Sequence, residues 1–247
     1  MKLTVYFTPL GVTNAAVAGI PVLVVDVLRA TTTIVAALAS GAKAVVPAAT
    51  AEEALRIAGN LERDAVLLAG ERRMERIEGF ALGNSPGEME PDVVAGKTIV
   101  MATTNGTPAV LAAEAGASVL IGAITNFSAA VERARAVFEE AGELAILCSG
   151  RERMFALEDA YVAGRFAHAL IPGKQRRSSD LNDGAIAALE LVRRYGEKWK
   201  TAVAASAAAR DLKRAGFKAD VAAATEADTH DIVPEYADRL VTLPIGR

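Results

Sequence analysis

The sequence predicts an α/β protein with a mostly parallel or mixed sheet, assembled from two duplicated β-α-β-α-β halves. Three observations predict it. Short apolar runs without alternation, such as Val22 to Val25, suit strands covered on both faces. These runs alternate with Ala-rich segments of helical spacing, the order expected of parallel β-α units. The pattern GAKAVVPAAT, from Gly41, returns as GASVLIGAIT, from Gly116, 75 positions later.

Taken in order, Val22 to Val25 is a strand that stops on Asp26, and Arg29 with Thr31, Thr32 and Thr33 opens a helix over Ile34 to Ser40 that Gly41 closes. Ala44 to Ala48 is the next strand. Thr50 and Glu53 form a capping box for a helix reaching about Asn60. Ala65 to Ala69 is a third strand, ending in Gly70-Glu71-Arg72-Arg73, and Gly79 to Asp92 is a long turn-rich loop. The second half follows the same plan. Thr98 to Ala102 is a strand, Thr103 to Thr107 a polar turn, and Pro108 suits the first position of a helix. After Thr125 a helix runs to about Ala141, and Ala145 to Cys148 is a strand ending in Ser149-Gly150-Arg151. The halves are thus residues ~20 to 73 and ~95 to 153. Right-handed crossovers would bring all these strand ends to one side of the sheet. In that register Met101 stands where Asp26 stands in the first half, so the site should be asymmetric. Beyond it come a helix over Leu157 to Leu170, a polar loop over Gly173 to Asp183, and helices at Gly184 to Tyr195, Glu197 to Ala204 and Ser206 to Gly216. Val221 to Ala224 and Leu240 to Leu243 are short runs suited to strands. No linker interrupts the chain, so residues 1–247 form one domain.

Composition narrows the function. With 52% hydrophobic and 23% charged residues in 247, the chain is a soluble globular protein with ample core. Its net charge of −3 and 5% aromatic content argue against nucleic acid and anionic membranes as partners. No apolar run approaches the ~20 residues of a membrane span, and Met1 to Leu10 lacks a signal-peptide core. Cys148 is the single cysteine, which suits a reducing compartment, so the cytoplasm is expected. Assembly into a homo-oligomer stays open.

The chain lacks a G-x-G-x-x-G turn after a strand, a Walker A loop, the second acid of a haloacid dehalogenase and the arginine spacing of a tyrosine phosphatase. Its two histidines, His168 and His230, lie too far apart in sequence to suggest a zinc site. Asp26, Glu71, Glu158 and Asp159 instead offer the hard oxygens that Mg²⁺ prefers beside waters and a substrate phosphate. Arg29, Arg72 and the two threonine turns would take the remaining anion oxygens. Blander readings stand beside these: the threonines as helix caps, Asp26 as a turn residue, and Glu158 with Asp159 as the helix-dipole response of a first turn.

DVLRATTTIVAAL at Asp26, GER at Gly70, GFALGNSP at Gly79, TTNGTPA at Thr103, LEDAYVAG at Leu157 and the Ser206 to Asp220 tail resemble the 2-phosphosulfolactate phosphatase (ComB) family of coenzyme M biosynthesis. The resemblance covers most of the chain. It implies a three-layer α/β/α fold and a Mg²⁺-dependent phosphatase converting 2-phospho-3-sulfolactate and water to 3-sulfolactate and phosphate. It places Asp26, Arg29, Thr31, Thr32, Glu71, Arg72, Asn84, Ser85, Thr103, Thr104, Asn105, Gly106, Glu158 and Asp159 at the site. Among these, Asp26, Arg29, Glu71 and Arg72 are the catalytic candidates. Mg²⁺ is expected on Asp26 with Glu158, Asp159 or both, and phosphate or sulfonate on Arg29 and Arg72. Asn84 and Ser85 would orient the organic part, and the Thr103 to Thr107 turn would donate to the transferred group. ERRMERIEGF and SGRERMF depart from the family blocks by being bulkier and more basic. Another small phosphorylated acid as substrate, or non-catalytic binding of small anions, are the rival expectations.

Overall fold

The computed structural model describes residues 1–171 and 180–244. In chain order its first elements are β1 (Lys2–Tyr6), α1 (Asn14–Val17), β2 (Val22–Val25), α2 (Ala30–Ala39), β3 (Ala44–Ala48), α3 (Ala51–Ala58), β4 (Val66–Arg72) and β5 (Glu75–Arg76). Next come α4 (Pro91–Val94), β6 (Thr98–Ala102), α5 (Gly106–Ala112), β7 (Val119–Gly122), α6 (Phe127–Ala141), β8 (Glu143–Cys148) and α7 (Leu157–Leu170). The described chain ends with α8 (Asp183–Tyr195), α9 (Trp199–Ala204), α10 (Ala207–Arg214), α11 (Lys218–Ala223), β9 (Glu235–Ala237) and β10 (Leu240–Thr242).

The strands form one ten-stranded sheet in the order β1-β8-β2-β7-β9-β10-β3-β6-β4-β5. Within it β1, β8, β2 and β7 are mutually parallel, as are β3, β6 and β4. The hairpin β9-β10 joins the two groups through three antiparallel pairings. Three reversals leave the groups running in opposite directions, so the strand ends do not share one edge of the sheet. The ends of β2, β4, β6 and β8 nevertheless converge on one cavity, as expected from right-handed crossovers. The strands of the two proposed halves also interleave: β2 pairs with β7 and β8, and β6 pairs with β3 and β4.

The non-alternating runs behave as their chemistry requires, with every residue of β2, β3 and β7 buried. Leu23, Val25 and Ile146 turn toward Phe138 of α6 and Phe166 of α7, in a core that α8 to α11 extend. Val22, Val24 and Ile121 face the other way, into a cluster with Ile34 and Leu38 of α2 and Val110 of α5. Val45, Ile99 and Met101 of the second strand group enter that same cluster, while Val46 and Val100 turn outward to Ala54 of α3 and Phe80. Helices therefore cover both faces of each group, and α2 with α5 fills the space they share. This shared layer brings the ends of β2 and β6 together: a Cβ at Gly106 would overlap the Ala30 methyl and Asp26 Oδ2.

Several local expectations are revised. Helix α2 begins at Ala30, taking in the threonines, and its nine buried residues from Ala30 to Leu38 mark it as an interior helix. Gly41 follows its end at φ +88°, the left-handed conformation that glycine tolerates. Strand β4 runs through Glu71 and Arg72 because a hairpin to β5 continues its pairing, with Arg73 and Met74 in the turn at φ 53° and 72°. Pro108 is the third residue of α5, not the first. Val221 to Ala224 lies at the end of α11, where Val221 and Ala224 join the core, rather than in a strand. Of the polar loop over Gly173 to Asp183, residues 173–179 lie outside the described residues, Asn182 caps α8, and Asp183 begins that helix.

Candidate active site

Two turns face each other where β2 and β6 end. In the first, the Asp26 N–H donates to Thr31 Oγ1 (3.0 Å), whose hydroxyl donates to the Asp26 carbonyl (2.8 Å). Thr32 donates to Val27 O (2.9 Å). Both hydroxyls are thus used in tying α2 to its turn, and neither threonine lines the cavity. In the second, the Thr103 N–H donates to Thr107 Oγ1 (3.0 Å) and the Thr107 N–H returns to Thr103 Oγ1 (2.9 Å). The N–H taken up by a following threonine hydroxyl is that of Asp26 in the first turn and that of Thr103 in the second, while Met101 lies wholly buried in β6. The two turns thus set the Asp26 carboxyl opposite a turn of hydroxyls and backbone N–H groups.

Between the turns lies a cavity of about 60 Å³ lined by Asp26, Arg29, Glu71, Asn84, Thr103, Asn105, Gly106, Glu158 and Asp159 among the expected residues. Asp26 is 4% exposed, and its Oδ1 accepts the Ala30 N–H at 3.2 Å. Asp159 accepts three donors: Val27 N–H (2.9 Å) at Oδ1, and Ser149 Oγ (3.0 Å) and Gly150 N–H (3.1 Å) at Oδ2. Glu71 ties together the strand ends of the second group. It accepts the Thr104 N–H (2.7 Å) and hydroxyl (3.2 Å) and the Met74 N–H (3.0 Å), fixing the second turn against the β4-β5 hairpin. The Glu152 N–H donates to Asn105 Oδ1 at 2.9 Å, pinning that turn from the other side. Asn84 is buried and lines the cavity, with its Oδ1 unpartnered.

Arg29 is held from three directions. Its Nη1 lies 2.7 Å from Asp220 Oδ2, its Nη2 donates to Met74 O (3.1 Å), and its guanidinium sits 4.3 Å from the centre of the Phe217 ring. The Leu28–Arg29 peptide is cis. Ser85 lies outside the cavity lining and donates to Asp220 Oδ1 at 2.5 Å. Arg72 also lies outside it, its Nη1 on the Glu71 carbonyl at 2.9 Å.

The carboxylates dominate the electrostatics. Burial pushes the Asp26 carboxyl from 3.8 up to about 7, the charges of Glu158 and Glu71 adding to the effect against hydrogen bonds from Ser149 and Ala30. Burial likewise raises Glu158, against a hydrogen bond from Ser206 and the charge of Arg151. Asp159 is raised well above 3.8 by burial and then by the charges of Asp26 and Glu158. Beneath them the Cys148 thiol is pushed far up by burial and by the same acids, which leaves it unreactive. Among the described residues no group of three or more His, Cys, Asp or Glu side chains is disposed to hold a metal ion together. With the Asp159 oxygens engaged, Asp26 and Glu158 are the carboxylates with oxygens left for a cation. Two carboxylates completed by water and phosphate suit Mg²⁺.

Residues not among the sequence candidates complete the wall: Leu28, Met74, Gly150, Arg151, Ala208 and Leu212. Arg151 pairs with Asp211 of α10 at 2.7 Å. Asp220 had a signal, since it ends the tail motif that begins at Ser206. Arg151 had only the basic character of its segment.

Fold and cavity define an α/β protein whose buried site sets four carboxylates against two arginines, equipment suited to a small charged substrate. The chain belongs to the 2-phosphosulpholactate phosphatase family, whose sequence profile matches residues 6–239. It is 36% identical over 220 residues to a protein of Caldanaerobacter subterraneus subsp. tengcongensis, covering 89% of each chain. It is 39% identical over 213 residues to one of Deinococcus radiodurans, covering 86% of this chain and 85% of the other. A protein of a Synechococcus species is 42% identical over 172 residues, 70% of each. All three are named probable 2-phosphosulfolactate phosphatase. Among the described residues no helix is long and apolar enough to cross a membrane.

Proposed function

We propose that this chain is a Mg²⁺-dependent phosphatase that hydrolyses 2-phospho-3-sulfolactate to 3-sulfolactate and phosphate in the cytoplasm, the step of coenzyme M biosynthesis. One observation carries the metal requirement. The cavity sets Asp26, Glu71, Glu158 and Asp159 against Arg29 and Arg151, and each arginine is already paired with a further acid. Once ionised, these acids would repel a substrate with phosphoryl, carboxylate and sulfonate groups unless a cation came with it. Asp26 and Glu158 would hold that cation, with Asp159 as an outer support that orients Val27, Ser149 and Gly150. When bound, Mg²⁺ supplies charge neutralisation for the phosphoryl oxygens. Arg29, immobilised by Asp220 and Met74, anchors the phosphoryl group at a fixed point. Asn84 would offer its side-chain amide to the ligand, and Glu71 keeps the Thr103 to Thr107 turn in register with it. Gly106 lets that turn approach Asp26.

The same reading takes the sheet as two related halves. Exchanging β2, β3 and β4 with β6, β7 and β8 reproduces the strand order read backwards, and each half opens its site turn with a threonine hydroxyl accepting the first N–H.

Phosphate release from a panel of phosphomonoesters, with Mg²⁺ and with chelator, tests the proposal. Mg²⁺-dependent release confined to phosphosulfolactate is expected. Broad release would transfer the chemistry to another phosphorylated acid, and ligand binding without release would make the chain a small-anion binder.

A further inference from the structure

The two guanidiniums of the cavity are held by aspartates of neighbouring helices, but not equally. The Arg29–Asp220 pair is 3% and 6% exposed, so breaking it would strand a buried charge. The Arg151–Asp211 pair has the same 2.7 Å separation at 31% and 29% exposure, where water competes and the pair contributes little. Arg29 is fixed; Arg151 is held less firmly.

The backbone beneath Arg151 is nevertheless rigid. Its N–H donates to Met154 O (2.9 Å) and its carbonyl accepts the Met154 N–H (2.8 Å), across a turn with Glu152 and Arg153 at φ 51° and 64°. The Glu152 N–H bond to Asn105 ties this turn to the opposite side of the cavity. Beside it α10 adds the apolar Ala208 and Leu212 to the wall and supplies Asp211 as the partner of Arg151. A guanidinium held by a partly exposed ion pair, on a turn tied down by hydrogen bonds, is suited to exchanging Asp211 for an acid group of the substrate.

We propose that Arg151 leaves Asp211 to bind the sulfonate of the substrate and thereby sets specificity for a phosphorylated acid carrying a second strong anion. This rests on the proposed function. The planar guanidinium fork matches two sulfonate oxygens, and a paired, charge-assisted contact of this kind discriminates more strongly than a point charge.

Calorimetric titration of the intact protein with 3-sulfolactate and, separately, with inorganic phosphate in the presence of Mg²⁺ tests it. Arg151→Ala should weaken 3-sulfolactate binding by about tenfold or more, and phosphate binding by less than about twofold. Arg151→Lys should fall between, because it keeps the charge and loses the fork. Asp211→Asn, which releases Arg151, should leave 3-sulfolactate binding as tight or tighter, and it tests the idea even if the alanine variant fails to fold. Equal losses for both ligands, no loss on Arg151→Ala, weaker binding on Asp211→Asn, or a wild-type protein that does not bind 3-sulfolactate would each overturn it. Failure of the phosphatase reading is seen separately, as a wild-type protein that binds both ligands and releases no phosphate.

Discussion

Replacing Asp26 by asparagine should remove activity and, without metal, make the protein more stable. The Asp26 carboxyl keeps its proton up to about pH 7 in the fold, against 3.8 ordinarily. At 1.36 kcal/mol per pH unit, ionising it costs the folded state about 4 kcal/mol. The sign follows from proton counting. Between these two values the folded chain binds more protons than the unfolded one, so stability falls as pH rises and the full cost is reached above about pH 8. Asparagine cannot ionise, and its oxygen can still accept the Ala30 N–H. In chelator at pH 8 the variant should therefore melt roughly 10 °C above wild type, at a few degrees per kcal/mol for a chain of this size. At pH 4, where the wild-type carboxyl keeps its proton in the fold, the difference should shrink toward zero. Differential scanning calorimetry at the two pH values measures it. A variant that melts at or below wild type at pH 8, or an elevation that persists unchanged at pH 4, would refute the burial argument.

Other perturbations test the frame around this residue. Gly106→Ala should cost about 1–3 kcal/mol in urea unfolding and most of the activity, since its methyl would overlap Ala30 and Asp26 Oδ2; a silent substitution would contradict the close approach of the two turns. Asp220→Asn should cost about 3 kcal/mol by leaving the Arg29 charge uncompensated, and the Michaelis constant should rise more than turnover falls. Cys148 should resist a thiol reagent in the native protein at pH 8 and react only after unfolding, because it is fully buried beneath three acids.

Much of the fold was legible in the sequence because its strands are buried on both faces, which writes them as unbroken apolar runs. The capping threonine of α3 and the acidic start of α7 were equally clear. The reversal between the strand groups was not. It depends on the β9-β10 hairpin. Leu240 to Leu243 reads as a strand and contains β10, but its three-residue partner β9 is too short for any periodicity, and neither run encodes the pairing direction. Val221 to Ala224 was ambiguous for the same reason, a short apolar run whose helical state is set by packing. At the site, residue types were readable but directions were not. Thr31 and Thr32 look like ligand donors until their hydroxyls are seen turning back to the chain. Arg72 and Arg151 sit in similar basic segments, and only the folded turns decide that Arg151 reaches the cavity while Arg72 bonds the Glu71 carbonyl. The Arg29–Asp220 pair spans 191 positions of sequence, which no local pattern encodes.

The most direct test is steady-state phosphate release from 2-phospho-3-sulfolactate over a Mg²⁺ titration, for wild type and Asp26→Asn side by side. We expect wild-type release to rise with Mg²⁺ and to vanish in chelator, and the variant to fall by about a thousandfold at every Mg²⁺ concentration. Undiminished release in chelator, or a variant as active as wild type, would contradict the assignment of Asp26 and the acid-lined cavity to cation-assisted phosphate hydrolysis.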